Sequence, residues 1–336
     1  MPSFCRHGRF VERCPICSKS LPGNEPGGGS SPRAKSNRKA GSGASTGTVS
    51  HGRRVRGAGV RVRREGRAED DGYSSSLIPG VRASADAQRL AEEIAFSSAR
   101  LLALAADPPG LYAEVRALAV TDIEQASWIC FLIAYLSPLE GEDPLAGIRE
   151  ALATTPDGGD RASGEFSDLD VPLGPRTSHD PARGTDTLVA YRQWVQRAGG
   201  SQAIAFAGDA AWTPQRRFER LHERLALPGF GRMGRYDLLV TLGRLGLYDL
   251  QPGSLHLTGA PADDLTTLGA KRVFGIGDPL LLERRATALA EAAAVPIEAL
   301  DVALANWAAP QRATLGFPQD SGDSDAYARA GDALGL

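Results

Sequence analysis

Residues 227–242 read Leu-Pro-Gly-Phe-Gly-Arg-Met-Gly-Arg-Tyr-Asp-Leu-Leu-Val-Thr-Leu, and the fold turns on them. Upstream, Phe218, Leu221 and Leu225 recur at helical spacing; downstream, Leu238, Leu239, Leu242 and Leu245 do the same. Between the two runs Pro228 and Gly229 break the chain, and Gly231 permits a second sharp bend. The pattern predicts a helix, a tight glycine hairpin and a second helix. Free backbone N–H groups in such a hairpin, with the positive end of the second helix, suit an anionic oxygen such as a DNA phosphate. Gly229 and Gly231 shape that site, and Arg232 and Arg235 add charge to it. A helical corner that binds nothing has the same local pattern.

Working outward, Thr213 caps the upstream helix and Pro214 takes its first position. Trp212, Gln215 and Arg216 sit just ahead of the hairpin, where they can line a base pocket. Trp212 either stacks on an extruded base or fills a gap in the core. The body begins near Ser84, with Ser84 or Asp86 as cap of a helix over 85–104. Further helices are expected over 111–119, 122–136, 144–153, 186–198, 262–274, 280–294 and 297–308. Residues 122–136, apolar almost all round, are central, with Trp128 and Cys130 as core. Residues 154–184 read as a flexible Gly/Pro/Asp/Ser-rich loop or lid, and 318–336 as a loosely ordered tail. No run of alternating strands occurs, so the fold class is all-α.

Charge divides the chain. Residues 1–67 carry 15 Lys and Arg against three Glu, while the remainder carries a net charge of −14. Residues 20–83 hold too few large apolar side chains to fold and read as a disordered basic linker. Such an arm either scans a polyanion non-specifically or is merely solvated. Ahead of it, Cys5, His7, Cys14 and Cys17 form a CxH followed by a CxxC. All four positions of a tetrahedral set are filled, which suits a structural Zn2+ ion in a module over 1–19; reduced thiols or a redox CxxC are the alternatives. No signal peptide is visible, and the longest apolar run, 126–136, is too short to span a bilayer. These features lead us to expect a cytoplasmic monomer with no membrane partner.

Leu227–Gly231 resembles the signature of the helix-hairpin-helix DNA glycosylase superfamily. A broader likeness runs through 1–18 with its Cys and His, Leu227–Leu250 and Lys271-Arg-Val-Phe-Gly-Ile-Gly-Asp-Pro279. Those stretches resemble bacterial proteins of the alpha-glutamyl/putrescinyl thymine pyrophosphorylase family, clade 3. The resemblance implies a glycosylase-like helical body over 84–317 that flips a base out of double-stranded DNA. It further implies an aspartate beside the pocket, to stabilise the positive charge that develops on the sugar. Asp249, 22 residues after Leu227, is near the usual interval; Asp278, 51 residues after it, caps a helix before Pro279. Lys271 and Arg272 offer further contacts to the DNA backbone. Lyase-type relatives place a Schiff-base lysine six residues after the motif's leucine, where this chain has Met233, so a monofunctional reaction is implied. The cysteine quartet of an iron–sulfur cluster is missing. The implied activity is excision of hypermodified pyrimidines from phage DNA, leaving abasic sites, in antiviral defence. A pyrophosphorylase-type transfer on modified thymine and a non-catalytic DNA-binding module are the alternatives.

Overall fold

A computed structural model of the chain describes residues 68–139, 145–154, 173–183, 185–318 and 322–336. Cys5, His7, Cys14 and Cys17, and the basic stretch up to residue 67, lie outside the described residues. The described residues are helical, joined by turns, and contain no strand; Pro138–Leu173 and Leu227–Phe230 form isolated bridges. In chain order the helices are α1 (Ser84–Ala106), α2 (Leu111–Leu118), α3 (Ile123–Leu136), α4 (Ala146–Thr154), α5 (Asp186–Arg197) and α6 (Gln202–Ala207). They continue with α7 (Pro214–Arg224), α8 (Arg232–Arg244), α9 (Leu265–Phe274), α10 (Pro279–Ala292), α11 (Ala299–Ala308) and α12 (Ser324–Leu334). No helix among the described residues is long and apolar enough to cross a membrane.

Helix α3 is buried on every side from Ala126 to Leu136, as its unbroken apolar sequence requires. Trp128 and Cys130 are core residues, and burial pushes the Cys130 thiol well up, leaving it a protonated, unreactive packing group. On one flank α3 packs against α8, the helix that leaves the hairpin. Helix α1 packs against α11 and α12, and α11 against α9. The α9–α11 crossing is close because Gly269 has no side chain: a Cβ there would lie 2.1 Å from the Leu304 carbonyl oxygen.

Three expectations are corrected. The folded body extends upstream of 84: Ile78, Val81 and Ala83 are buried, and the Gly80 N–H donates to the Val273 carbonyl at 2.9 Å. Residues 318–336 include α12, a helix held by buried Ala326, Ala330 and Leu334 rather than a loose tail. Residues 173–183 are not a lid, because Arg176 and His179 are buried there and anchored from distant helices. At α1, Ala83 occupies the cap position without a side-chain bond, while Asp86 lies buried inside the helix.

Candidate functional site at the hairpin

Helix α7 is capped by Thr213, whose Oγ1 accepts from the Arg216 N–H at 3.2 Å, with Pro214 at its first position. The chain reverses through 227–231: the Phe230 N–H donates to the Leu227 carbonyl at 3.1 Å, and Gly229 adopts φ +75°. Gly231 then starts α8 with no side-chain cap, so the first N–H groups of the helix remain for an outside acceptor. Phe230 anchors the turn by meeting Phe131 of α3 at 5.2 Å between ring centroids.

Gly229 is a required glycine, since a Cβ there would sit 2.1 Å from the Thr187 Oγ1 of α5, in a left-handed conformation as well. At Gly231 an added Cβ would meet nothing within 4 Å. Gly229→Ala is therefore expected to cost about 2–3 kcal/mol of stability, from the positive φ and the clash together. Gly231→Ala should cost no more than about 1 kcal/mol. Urea denaturation of the two variants checks this; equal costs would contradict the packing described.

Beside the turn lies a cavity of about 360 Å³ with three walls: Arg176–Asp180 with Arg183, the hairpin from Leu227 to Gly234, and Pro261, Asp263 and Asp264. Gly234 lets the first two walls close on each other, because a Cβ there would come within 2.6 Å of the Ser178 Oγ. Beneath the cavity a buried ionic network holds all three. Arg176 donates from Nε and Nη2 to the two Asp237 oxygens at 2.8 Å each, and its Nη2 also pairs with Asp301. Arg232 donates from Nε to Asp264 at 3.0 Å, from Nη1 to the Leu255 carbonyl at 2.6 Å, and from Nη2 to Asp301. Burial alone would raise the Asp301 carboxyl, but Arg232 and Arg176 outweigh it and hold it below the usual carboxylate value.

This network corrects the expectation for Arg232. Its side chain is buried and its three nitrogens are taken, so it builds the floor instead of reaching a phosphate. Arg235 is half-buried and donates to the His222 carbonyl at 2.8 Å. Burial, reinforced by Arg232, holds its guanidinium below the usual value.

The other candidate residues lie outside the cavity walls. Asp249 is 72 % exposed and turned toward α7, where Arg217 pairs with it at 3.2 Å. Asp278 is exposed and caps α10 by accepting from the Leu281 N–H at 3.0 Å. Trp212 is half-buried, packs over Gly208, and has Arg224 over its ring at 5.3 Å. Gln215 bonds Gln251 at 2.9 Å, and Arg216 is exposed. Lys271 is half-buried and Arg272 exposed on the last turn of α9. Gly229, Gly231 and Met233 do line the cavity.

Three carboxylates of the cavity come from residues the sequence did not single out. Asp264 caps α9 through the Thr267 N–H at 2.8 Å and is paired with Arg232. Asp180 pairs with Arg183 at 3.3 Å. Asp263 is exposed at the wall and makes no ion pair among the described residues. His179, also in the wall, accepts or donates at Nδ1 to the Tyr135 hydroxyl at 3.0 Å, and burial lowers its pKa, favouring a neutral ring. An Asp-Asp ahead of an apolar helix was the available signal for the cap; nothing local marked Arg176 or His179.

Residues 176–315 match the family model described as alpha-glutamyl/putrescinyl thymine pyrophosphorylase clade 3. This segment is similar to that family. No curated protein and no solved structure matches the chain. Every cavity wall, from Arg176 to Asp264, falls within the clade 3 segment, as do Asp237 and Asp301 of the network. Helices α1 to α4, which carry much of the core, precede it.

Proposed function

We propose that this protein is an enzyme acting on modified thymine in DNA, and that it excises the base by hydrolysing its N-glycosidic bond. The observation that carries the reading is the cavity at the glycine hairpin, walled on one side by carboxylates and lying wholly inside the clade 3 segment. The family's description supplies the substrate class. In this reading a backbone phosphate rests on the uncapped N-terminus of α8, and the adjacent base swings into the cavity. The bond between sugar C1′ and base N1 breaks, and its electron pair leaves with the base. Positive charge on the sugar is stabilised by Asp263, the cavity carboxylate without a cationic partner among the described residues. Water then adds to C1′ and gives its proton to that carboxylate. Met233 cannot form a Schiff base, so the product is an abasic site with intact strands.

The partner is double-stranded phage DNA carrying hypermodified bases, and the setting is cytoplasmic antiviral defence. Cys5, His7, Cys14 and Cys17 would hold a structural Zn2+ ion, and the basic stretch after them would add non-specific DNA affinity. Incubation with phage DNA containing hypermodified thymine should release free base and abasic sites, whereas unmodified DNA stays intact. Asp263→Asn is expected to slow release about 100- to 1000-fold with little change in thermal stability. If Asp263→Asn keeps full activity and Asp249→Asn or Asp278→Asn loses it, the carboxylate role passes to that residue.

The family's description also favours a second reading, a pyrophosphorylase-type transfer that exchanges pyrophosphate on the base. Release of pyrophosphate without free base would establish it in place of the first. Absence of both products would leave a DNA-binding module.

A further inference from the structure

We propose that His179 reads a carbonyl oxygen of the pyrimidine by donating from Nε2–H, and that Tyr135 fixes it in that tautomer from beneath the hairpin turn. The proposal rests on the cavity being the base pocket. Its geometry begins at Gly229, whose missing side chain lets the turn close onto Thr187 Oγ1. Thr187, 1 % exposed on α5, lies directly beneath the turn. Tyr135, also 1 % exposed, lies 3.0 Å from His179 Nδ1. With Tyr135 as the donor, Nδ1 is the acceptor and the ring proton must sit on Nε2. Nε2 has no partner among the described residues, and His179 is part of the cavity wall.

The ring is held firmly. Tyr135 meets it edge-on, with centroids 5.5 Å apart at 80°, and Phe131 stacks on Tyr135 at 5.8 Å. The His179 N–H donates to Thr177 Oγ1 at 3.1 Å, and Thr177 Oγ1 donates to the Tyr135 carbonyl at 3.2 Å, so backbone and ring are tied to the same residue. Burial pushes the Tyr135 phenol up to about 12 and the His179 ring down, so both are neutral near pH 7. A neutral imidazole fixed as an Nε2–H donor matches a pyrimidine carbonyl, which only accepts. Every 5-modified thymine keeps its two carbonyls, so this contact selects the pyrimidine ring and leaves the modification to other walls. Phe230 of the turn and Tyr135 both pack on Phe131, so the grip on the backbone and the reading of the base share one aromatic support.

Long-range proton–nitrogen NMR of the full chain labelled with 15N-histidine tests the inference, with His179→Gln assigning the signals. The expected result is a single neutral Nε2–H tautomer for His179. In Tyr135→Phe that tautomer should give way to a mixture. Adding free thymine with an abasic-site duplex should shift the Nε2 signal of the wild type, and His179→Leu should bind that thymine roughly three- to tenfold more weakly. A proton on Nδ1 in the wild type would overturn the proposal, and so would an Nε2 signal indifferent to thymine. If the tautomer and the thymine shift hold while no base is ever released from DNA, the glycosylase reading falls and the recognition role stands.

Discussion

Asp301→Ala is expected to lower the unfolding free energy by about 3–5 kcal/mol, the usual loss when one partner of a buried ion pair is removed. Asp301 sits on α11 at 1 % exposure and faces two guanidiniums, Arg176 and Arg232, each itself essentially buried. Without the carboxylate, Arg176 keeps Asp237 and Arg232 keeps Asp264, but two buried cations then face each other without the anion between them. Water cannot repair this cheaply, and the effect is not screened as a surface pair would be. Asp301→Asn keeps the volume and loses the charge, so most of the cost should remain. Chemical denaturation monitored by circular dichroism reads both variants. A loss below about 1 kcal/mol in each would show that the two arginines do not depend on Asp301.

The second large effect is acid lability. His222 and His256 stack at 4.4 Å inside an aromatic cluster with Phe218 and Tyr236. Burial, together with His256, Arg235 and Arg232, pushes His222 down to about 2. Burial, then Arg232 and Arg235, pushes His256 down to about 4. Both rings are thus neutral in the fold, while in the unfolded chain they titrate near the ordinary histidine value of about 6.5. Between those values the unfolded chain takes up protons that the folded protein refuses, so acid favours unfolding. The stabilisation is complete above about pH 6.5 and is lost as pH falls from there through 4 and below. His256 by itself accounts for roughly 3 kcal/mol, since each tenfold change in proton affinity is worth about 1.4 kcal/mol. Stability measured from pH 7.5 to 4 should show this slope, and His256→Phe, which keeps the stacking and cannot titrate, should roughly halve it, leaving the share of His222. An unchanged acid limb in that variant would refute the assignment.

The hairpin and the all-α architecture were legible in the sequence because each rests on local rules. Thr213-Pro214 and Asp278-Pro279 announce helix starts, and the leucines after Gly231 set the period of α8. The short α6 and α12 escaped, though Ala326, Ala330 and Leu334 recur every four residues on α12's buried face. Small side chains gave that face little apolar signal. The site was legible only in part. Gly229 and Gly231 are where the motif places them, but the arginine after them turns inward. Arg176 lies in a Gly/Pro-rich stretch that any composition rule reads as loop, and its partners Asp237 and Asp301 are 61 and 125 residues away. Long-range charge pairing leaves no period to find. The interval from Leu227 pointed to Asp249 or Asp278, whereas the walls of the cavity bring Asp263 to the turn.

One detail far from the cavity shapes how the body comes apart. The Tyr73 hydroxyl donates to the Leu334 carbonyl at 2.6 Å, while α12 lies along α1. Terminal segments usually fray independently, each at little cost to the other. Here the two are tied, so peeling back α12 takes the Tyr73 bond with it, while Gly80 on Val273 and buried Ile78 and Val81 still hold the upstream turn.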